Sequence, residues 1–533
     1  MRNSAPTVAI FKDIPVLAKV ASAVHTTTNP EVIQRFLLLR VGDPCDELRR
    51  AESERILRAQ PFIAAASVNF VPDGDGVALD VRTTDEVAIV AGIALGKGLP
   101  PVRLLRLGDA NIAGEGIYLA GDWRAGGAYR DGFGGRFVDN QLLGRPYSFV
   151  AEGHQNPLGA DWQIDALHPF YTDIQRIAWR ARVGAIDDYA QFHADYNRDS
   201  ANALRVARNY FDVGGIVRIG PPARVSLFGA SISGNDSRPA RNPVLITSDG
   251  FAPDTSNVLR NRYVSQRIAR LNALWGVRDI GFVQVRGFDA LTATQDLPIG
   301  FQLGTLFGRT LSVLGSRDDD IFMAGDLYVG AVGKRTALRF QANAEGRRSN
   351  SAETWDGIVV GARAIEYIKP SANNTVTASL EFGGGWQQQT PWALTLGDPD
   401  GGVRGYASSE VPGAKRLVAR LEDRVYVGHF REAADIGVGF FADAGQLWAG
   451  DAPYGQNTPV RSSVGFSLLG SAPPSSARLW RLDFAFAVNP EPHGSHFEVR
   501  FSNTNKTFFF LAEPVDLQAG RDRTVPSSVF RWP

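Results

Sequence analysis

Apolar and polar residues alternate one by one over long stretches of the second half of the chain. Between Leu417 and Val427, the apolar positions are Leu417, Ala419, Leu421, Val425 and Val427, and Arg420, Glu422, Arg424 and Tyr426 stand between them. The next run repeats the pattern, with Ile436, Val438, Phe440 and Ala442 on one face and Gly437, Gly439, Phe441 and Asp443 on the other. Upstream, Thr336, Leu338, Phe340, Ala342 and Ala344 alternate with Arg339, Gln341, Asn343 and Glu345, and Met323, Leu327 and Val329 with Asp326 and Tyr328. A period of two marks strands with one greasy and one ionic face. In a water-soluble sheet the ionic face lies outside; in a transmembrane barrel it lines the lumen and the greasy face meets lipid. A large soluble sandwich or propeller is the competing architecture, but charges such as Arg420, Glu422 and Arg424 then need a wet, narrow space between covered faces. The pattern predicts a mainly β chain built as a transmembrane barrel. About 390 residues at roughly 24 per strand and connection predict about 16 antiparallel strands. Polar stretches such as 231–249 and 346–354 read as its longer loops.

The first 83 residues read differently. Thr7–Phe11 can form a short strand. Thr28-Asn29-Pro30 supplies a capping residue with proline at the first helical position, and Val32, Ile33, Phe36 and Leu37 share one face of the helix that follows. Gly42-Asp43-Pro44 ends that helix. A second is expected from about Asp46 to Ala59 with Leu48, Ala51 and Ile56 buried. Residues 63–71, the turn Asp73-Gly74-Asp75-Gly76 and residues 77–82 predict a hairpin. The order is β-α-α-β-β. Residues 92–116 contain glycine- and proline-bearing linker text that ends in Asn111-Ile112-Ala113-Gly114-Glu115-Gly116.

Composition narrows the options. With 533 residues and a formal net charge of zero, the chain has no global electrostatic pull toward nucleic acid. Its 56 glycines and 10% aromatic residues suit strands and turns. One cysteine, Cys45, excludes an internal disulfide framework or a Cys-cluster metal site. Apolar runs stay well short of the roughly 18–20 residues of a spanning helix. Ala21-Ser22-Ala23 looks like a signal-peptidase site, but Lys12, Asp13 and Lys19 interrupt the apolar segment before it, so a processed or truncated start is expected instead.

Catalytic motifs do poorly. The sequence holds no Gly-x-Ser-x-Gly elbow, His-Glu-x-x-His helix or phosphate-binding Gly-x-x-x-x-Gly-Lys loop. His493-Gly494-Ser495-His496 is the one close histidine pair; it reads as a turn beside the last strand, with no third ligand. No enzyme, cofactor or metal is expected.

The most informative stretch is a glycine-rich loop, Gly397 to Gly413, that carries Val403-Arg404-Gly405-Tyr406. It precedes the strand with Leu421-Glu422-Asp423-Arg424, and one strand later comes Phe441-Ala442-Asp443-Ala444-Gly445. A near-copy, Val285-Arg286-Gly287-Phe288, lacks that sequel and is expected to be ordinary strand. Together with the β-α-α-β-β unit, the Asn-x-x-Gly-x-Gly of 111–116 and the terminal alternation of Phe497, Val499 and Phe501, this order resembles the BamA/TamA superfamily of outer-membrane barrels with a single POTRA domain.

The resemblance implies a POTRA-like periplasmic domain over 1–90, a linker leading to the barrel over 91–116, a barrel over 117–503, and a tail or closing-strand extension over 504–533. Ending the protein well after the Phe497–Phe501 signal departs from the family pattern. The resemblance further implies an inward-folded loop motif, Val403, Arg404, Gly405 and Tyr406, facing a strand motif, Phe441, Asp443 and Gly445, with Arg404 contacting Asp443 and with Arg420, Glu422 and Arg424 as supporting lumen charges. Arginine's planar fork suits a carboxylate, and breaking such a buried pair costs about 3–5 kcal/mol. The implied role is insertion or export of proteins at the bacterial outer membrane, with the POTRA domain in the periplasm. Implied partners are the lipid bilayer, unfolded or exported client proteins, and periplasmic chaperones or accessory lipoproteins; nucleic acid is not among them. A passive pore or structural barrel, and a secretion pore dedicated to one partner, remain open.

Overall fold

A computed structural model of the chain describes residues 2–4, 27–95, 102–125, 132–194, 200–247, 250–397, 401–431, 433–492, 494–504 and 513–521. Thr7–Phe11, Ala21–Ala23 and His493 lie outside the described residues. From Ile89–Leu95 to Phe497–Thr504 the strands pair antiparallel in chain order, and the sheet closes on itself as a barrel.

Among the described residues the ring runs through 22 strands, more than the expected 16 or so. A short hairpin, Val244–Thr247 and Gly250–Pro253, accounts for two of them; it pairs with the start of Ser200–Ile219, so that Arg224–Pro239 also pairs directly with Gln266–Arg286. The remaining excess comes from the N-terminal half, where Ile117–Arg124 and Gly132–Asp139 have only 8 residues each. Ile89–Leu95 and Val102–Ile112 are already barrel strands, inside the stretch expected to be linker. Leu104, Leu105 and Leu107 there follow no period-two pattern long enough to reveal a strand.

The alternation works as its chemistry requires. Along Lys415–Phe430, Leu421 and Val427 point outward and are 53% and 65% exposed, whereas Arg416, Glu422 and Arg424 point inward and are buried. Along Ala434–Trp448, Ile436 and Phe440 face out, and Asp435, Phe441 and Asp443 face in. Arg270, Arg278 and Arg416 are among the largest fully buried side chains of the molecule. Apolar outside and arginine inside inverts the order of a water-soluble core.

An α+β unit sits at one mouth of this barrel. Helix Pro30–Arg35 and helix Glu47–Ala59 pack on a sheet in which Gly76–Asp85 lies between Ile63–Asp73 and the three-residue strand Arg2–Ser4. Its core is Val32, Ile33, Phe36, Ile56, Leu57, Phe62, Ile63, Val68 and Val81. The hairpin turns over Gly74 and Asp75, with Asp73 opposite Gly76. Asp46 caps the second helix, its carboxylate accepting from Leu48 N and Arg49 N. Leu48, expected to be buried, is 45% exposed, and Ala51 is only half-buried. The helix buries Ser53, Glu54 and Arg55 beside Ile56 and Leu57 because it faces two neighbours, its own sheet and the barrel mouth.

Docking to the mouth is largely polar. Arg58 donates to both oxygens of Asp296 at 2.9 and 2.7 Å, Gln284 Nε2 donates to Glu54 at 3.1 Å, and the Arg55 guanidinium lies 4.2 Å from the centroid of the Phe282 ring. The Asn111-to-Gly116 motif makes the joint. Asn111 Nδ2 donates to Thr28 Oγ1 at 2.9 Å, while Gly116 N donates to Asn111 Oδ1 at 2.7 Å. Thr28 in turn donates through N and Oγ1 to Asp85, each at 2.8 Å. Gly116 has φ +70, and a Cβ there would stand 2.9 Å from the Phe62 ring. Gly116→Ala is therefore expected to cost about 1–3 kcal/mol, because it adds overpacking to left-handed backbone strain. Limited proteolysis should then release the N-terminal unit faster, with the barrel's gel migration before and after heating unchanged; equal release rates would refute the joint.

Candidate functional site

The loop between Asn374–Trp386 and Lys415–Phe430 turns inward. Leu394 and Gly413 close its base with reciprocal backbone hydrogen bonds of 2.8 and 2.9 Å. Inside, Val403 N donates to Leu396 O, Tyr406 N to Val403 O, and Ser409 N to Tyr406 O, at 3.0, 3.1 and 2.7 Å. Gly405 takes φ +88 at the tip, a conformation glycine adopts without cost. That tight turn aims Arg404 at the barrel wall.

Arg404 grips two carboxylates on neighbouring strands. Its Nε and Nη2 donate to the two oxygens of Asp443 at 2.7 and 2.8 Å, and Nη1 donates to Glu422 Oε2 at 2.7 Å. Asp443 is fully buried, and Glu422 and Arg404 nearly so. The guanidinium carbon lies 3.6 Å from the centroid of the Phe441 ring, so the cation rests on an aromatic face while its edge is hydrogen-bonded.

The strand motif follows from the pleat. Phe441, Asp443 and Gly445 are successive inward positions of Ala434–Trp448, and each meets the loop. Phe441 supports the guanidinium, Asp443 accepts from it, and Gly445 leaves room for Val403, whose Cγ2 would stand 2.6 Å from any Cβ added there. Gly465, on the next strand, clears space for the Phe441 ring in the same way.

Other loop atoms are also held. Tyr406 Oη donates to Ser462 O and is 3.0 Å from Asn489 Oδ1, and Ser409 Oγ donates to Glu491 Oε1 at 2.5 Å. Ala407 N donates to Glu498 Oε2 at 3.1 Å. Val403 and Tyr406 join Trp392, Leu394, Leu396, Val418 and Leu447 in a buried apolar cluster.

The supporting charges divide. Glu422 belongs to the cluster and also accepts from Arg481 Nη1 and Nη2 at 2.9 and 2.8 Å. Arg420 holds the loop backbone through Gly402 O at 2.7 Å. Arg424 turns away: its Nη1 and Nη2 donate to Asp289 O and Phe288 O at 2.7 and 2.6 Å, leaving it 3.5 Å from Glu422. The near-copy at 285–288 is thus not wholly strand. Gln266–Arg286 ends there, Gly287 adopts φ +67, and the following turn folds against the wall, where Tyr367 Oη donates to Asp289 at 2.8 Å. Arg286 donates to Thr292 O within its own turn, at 2.8 Å, and among the described residues pairs with no carboxylate.

Arg481, Asp483 and Ser467 complete the ion cluster and were not anticipated. Arg481 contacts Asp483 at 3.2 Å, and Ser467 Oγ donates to Asp483 at 2.5 Å. Their signal was present in the alternation of Arg481 and Asp483 with Trp480, Leu482 and Phe484. Among the described residues, no group of three or more His, Cys, Asp or Glu is arranged to hold a metal ion. Opposed charges at this density fasten a loop.

No family model matches the chain, and a search of curated proteins gave no match. Similar solved structures include BamA from Haemophilus ducreyi lacking POTRA domains 1–3, with TM-score 0.36 and 11% identity over 90% of this chain and 82% of that one. CdiB from Escherichia coli gives 0.42 and 10% over 94% and 75%, and CdiB from Acinetobacter baumannii 0.37 and 9% over 83% and 72%. The likeness is loose at these scores; a function has to rest on the geometry of the chain's own interior.

Reversing one partner, as Arg404→Glu or Asp443→Arg, should destabilise loop docking by about 3–5 kcal/mol by stranding a buried charge. The double reversal should recover part of that loss in a denaturant-based double-mutant cycle. Strictly additive effects would falsify the contact.

Proposed function

We propose that the chain is an outer-membrane β-barrel that inserts or exports proteins, with its lumen kept closed by the Arg404 loop. The observation that carries this reading is the inverted distribution of residues. Leu107, Phe133, Val213, Leu271, Phe307 and Phe440 stand exposed on strands all round the ring, while charged side chains crowd the inside. Such an exterior has a favourable environment only in hydrocarbon, and a closed barrel leaves no unpaired sheet edge in it. The α+β unit at one mouth belongs, on this reading, in the periplasm.

A filled lumen speaks against a passive pore. A porin keeps a water channel, whereas here the loop's apolar cluster and ion pairs occupy the interior. Holding a loop at the cost of so many desolvated charges makes sense where closure matters between transport events.

The outer edge of the hairpin is already covered against an added client strand. Val68 N donates to Glu54 Oε2 at 3.2 Å, Arg50 donates to Val68 O, and Arg58 Nη1 reaches Ala66 O at 3.4 Å, so helix side chains already satisfy the outer groups of Ile63–Asp73. Glu54 remains ionised below the usual carboxylate range: burial disfavours its charge, but hydrogen bonds from Arg58, Val68 N and Arg50 outweigh that. Farther along, Pro72 has no N–H to offer. The edge is blunted against unselective pairing. Strand addition then requires Arg50 and Glu54 to be displaced, which favours a restricted clientele over a general one.

Planar-bilayer recording tests the closed state. The intact protein should conduct poorly, and replacing 398–412 by a short Gly/Ser linker should raise conductance several-fold. Large, loop-independent conductance would sink the reading in favour of a pore. Transport itself is tested by comparing outer-membrane and secreted proteomes with and without the gene; identical profiles would count against it.

A further inference from the structure

The last described segment, 513–521, lies inside the barrel. Thr504 ends the final strand opposite Leu479, at the end where Arg478 donates to Val87 O of the N-terminal joint at 3.1 Å. By Glu513 the chain is back in the lumen, where helix Val515–Gly520 lies beside the inward loop.

Its contacts are specific. Arg416 Nη1 and Nη2 donate to the two oxygens of Asp516 at 2.5 and 3.0 Å. Trp392 Nε1, from the loop, donates to Asp516 O at 2.6 Å. At the other end, Arg521 donates to Glu345 at 2.9 Å and pairs with Glu513 at 3.3 Å, with Asp326 at 3.8 Å. Between these anchors sits Leu517, 2% exposed.

The wall is shaped for that leucine. Gly361 and Gly383 are directly opposite each other on adjacent strands, so two missing side chains make a notch in the inner face. A Cβ at Gly361 would stand 2.8 Å from Leu517 Cδ2, and one at Gly383 would be 3.4 Å from Cδ1. Gly401 of the loop is equally close-fitting, since a Cβ there would be 2.7 Å from Pro514 Cβ. Leu517 shares one apolar cluster with Val359, Trp392, Leu394, Leu396, Val403 and Tyr406.

Loop and helix therefore meet inside the barrel and brace adjoining stretches of its wall. Arg404 ties the loop to the strands that carry Glu422 and Asp443, whereas the helix reaches the strands that carry Asp326, Glu345 and Gly361. We propose that the C-terminal segment is an internal plug, a self-occluding element that completes closure of the lumen and must leave its notch before anything passes. This rests on the reading of the chain as a transmembrane barrel but not on the loop's role within it.

The test uses the full-length protein reconstituted in planar bilayers and in detergent. Asp516→Arg sets two arginines against each other, and Leu517→Glu places a carboxylate in the apolar notch; each should raise conductance several-fold. Truncation after Thr504 should do the same and, because among the described residues the barrel ladder ends at Thr504, should keep the folded band's heat-sensitive gel migration. In a Cys45→Ser background, Leu517→Cys should resist a membrane-impermeant maleimide until Asp516→Arg is added. Parent-level conductance in both point variants, or rapid labelling at 517 without Asp516→Arg, would overturn the plug. Protection at 517 that survives Arg404→Glu, with unchanged conductance in that variant, would instead sink the loop's role and leave the plug standing.

Discussion

The constraint on which this molecule depends is charge balance among buried side chains. A barrel that presents leucine, valine and phenylalanine outward has no place for its alternate residues except inside. There the chain has put arginines that are buried to a degree arginine tolerates only when paired. Arg404 shows how the balance is struck: a loop, which could have stayed in water, brings its cation inside to meet Asp443 and Glu422. Glu422 is shared again with Arg481. Removing any member leaves an unmatched charge where solvation is poor, so the cluster behaves as a unit and its parts should not be additive.

How much of this could be read from sequence depended on the range of the interaction. Period-two alternation is local, so the inward and outward faces of Lys415–Phe430 and Ala434–Trp448 were legible residue by residue. Strand number was not, because Ile89–Leu95, Ile117–Arg124 and Gly132–Asp139 have only 7 or 8 residues each, and a mean spacing drawn from long strands undercounts them. Leu48 misled for a different reason. A helix with two neighbours buries Glu54 and Arg55 where a one-sided amphipathic pattern would place solvent. The turn after Arg286 was invisible because what holds it, Arg424 on a distant strand, is a tertiary partner.

Glycine explains why the paired motifs look as they do. The loop does not merely lie in the lumen; it is pressed to the wall closely enough that Gly445 and Gly465 cannot carry a Cβ without displacing Val403 or Phe441. Gly361 and Gly383 do the same for Leu517. In a strand exposed on one face, glycine weakens pairing and contributes nothing to packing. Its presence at inward positions opposite bulky loop or tail residues is best understood as room made for an occupant. On that logic the interior of the barrel is designed around its contents.

Opening such a structure is a question of which restraint yields first. The loop is covalently continuous with two barrel strands and is fastened to the wall by bidentate ion pairs, hydroxyl contacts from Tyr406 and Ser409, and a bridged base. The C-terminal helix is six residues long, too short to be stable without its surroundings, and is fastened chiefly through Asp516, Leu517 and Arg521. Once Asp516 and Arg521 let go, the entropy regained by the freed segment favours departure. Withdrawal of the helix also uncovers Trp392 and Leu396 at the base of the loop and so lowers the cost of moving the loop itself. The order that follows from the physics is tail first, loop second, with the sheet intact throughout.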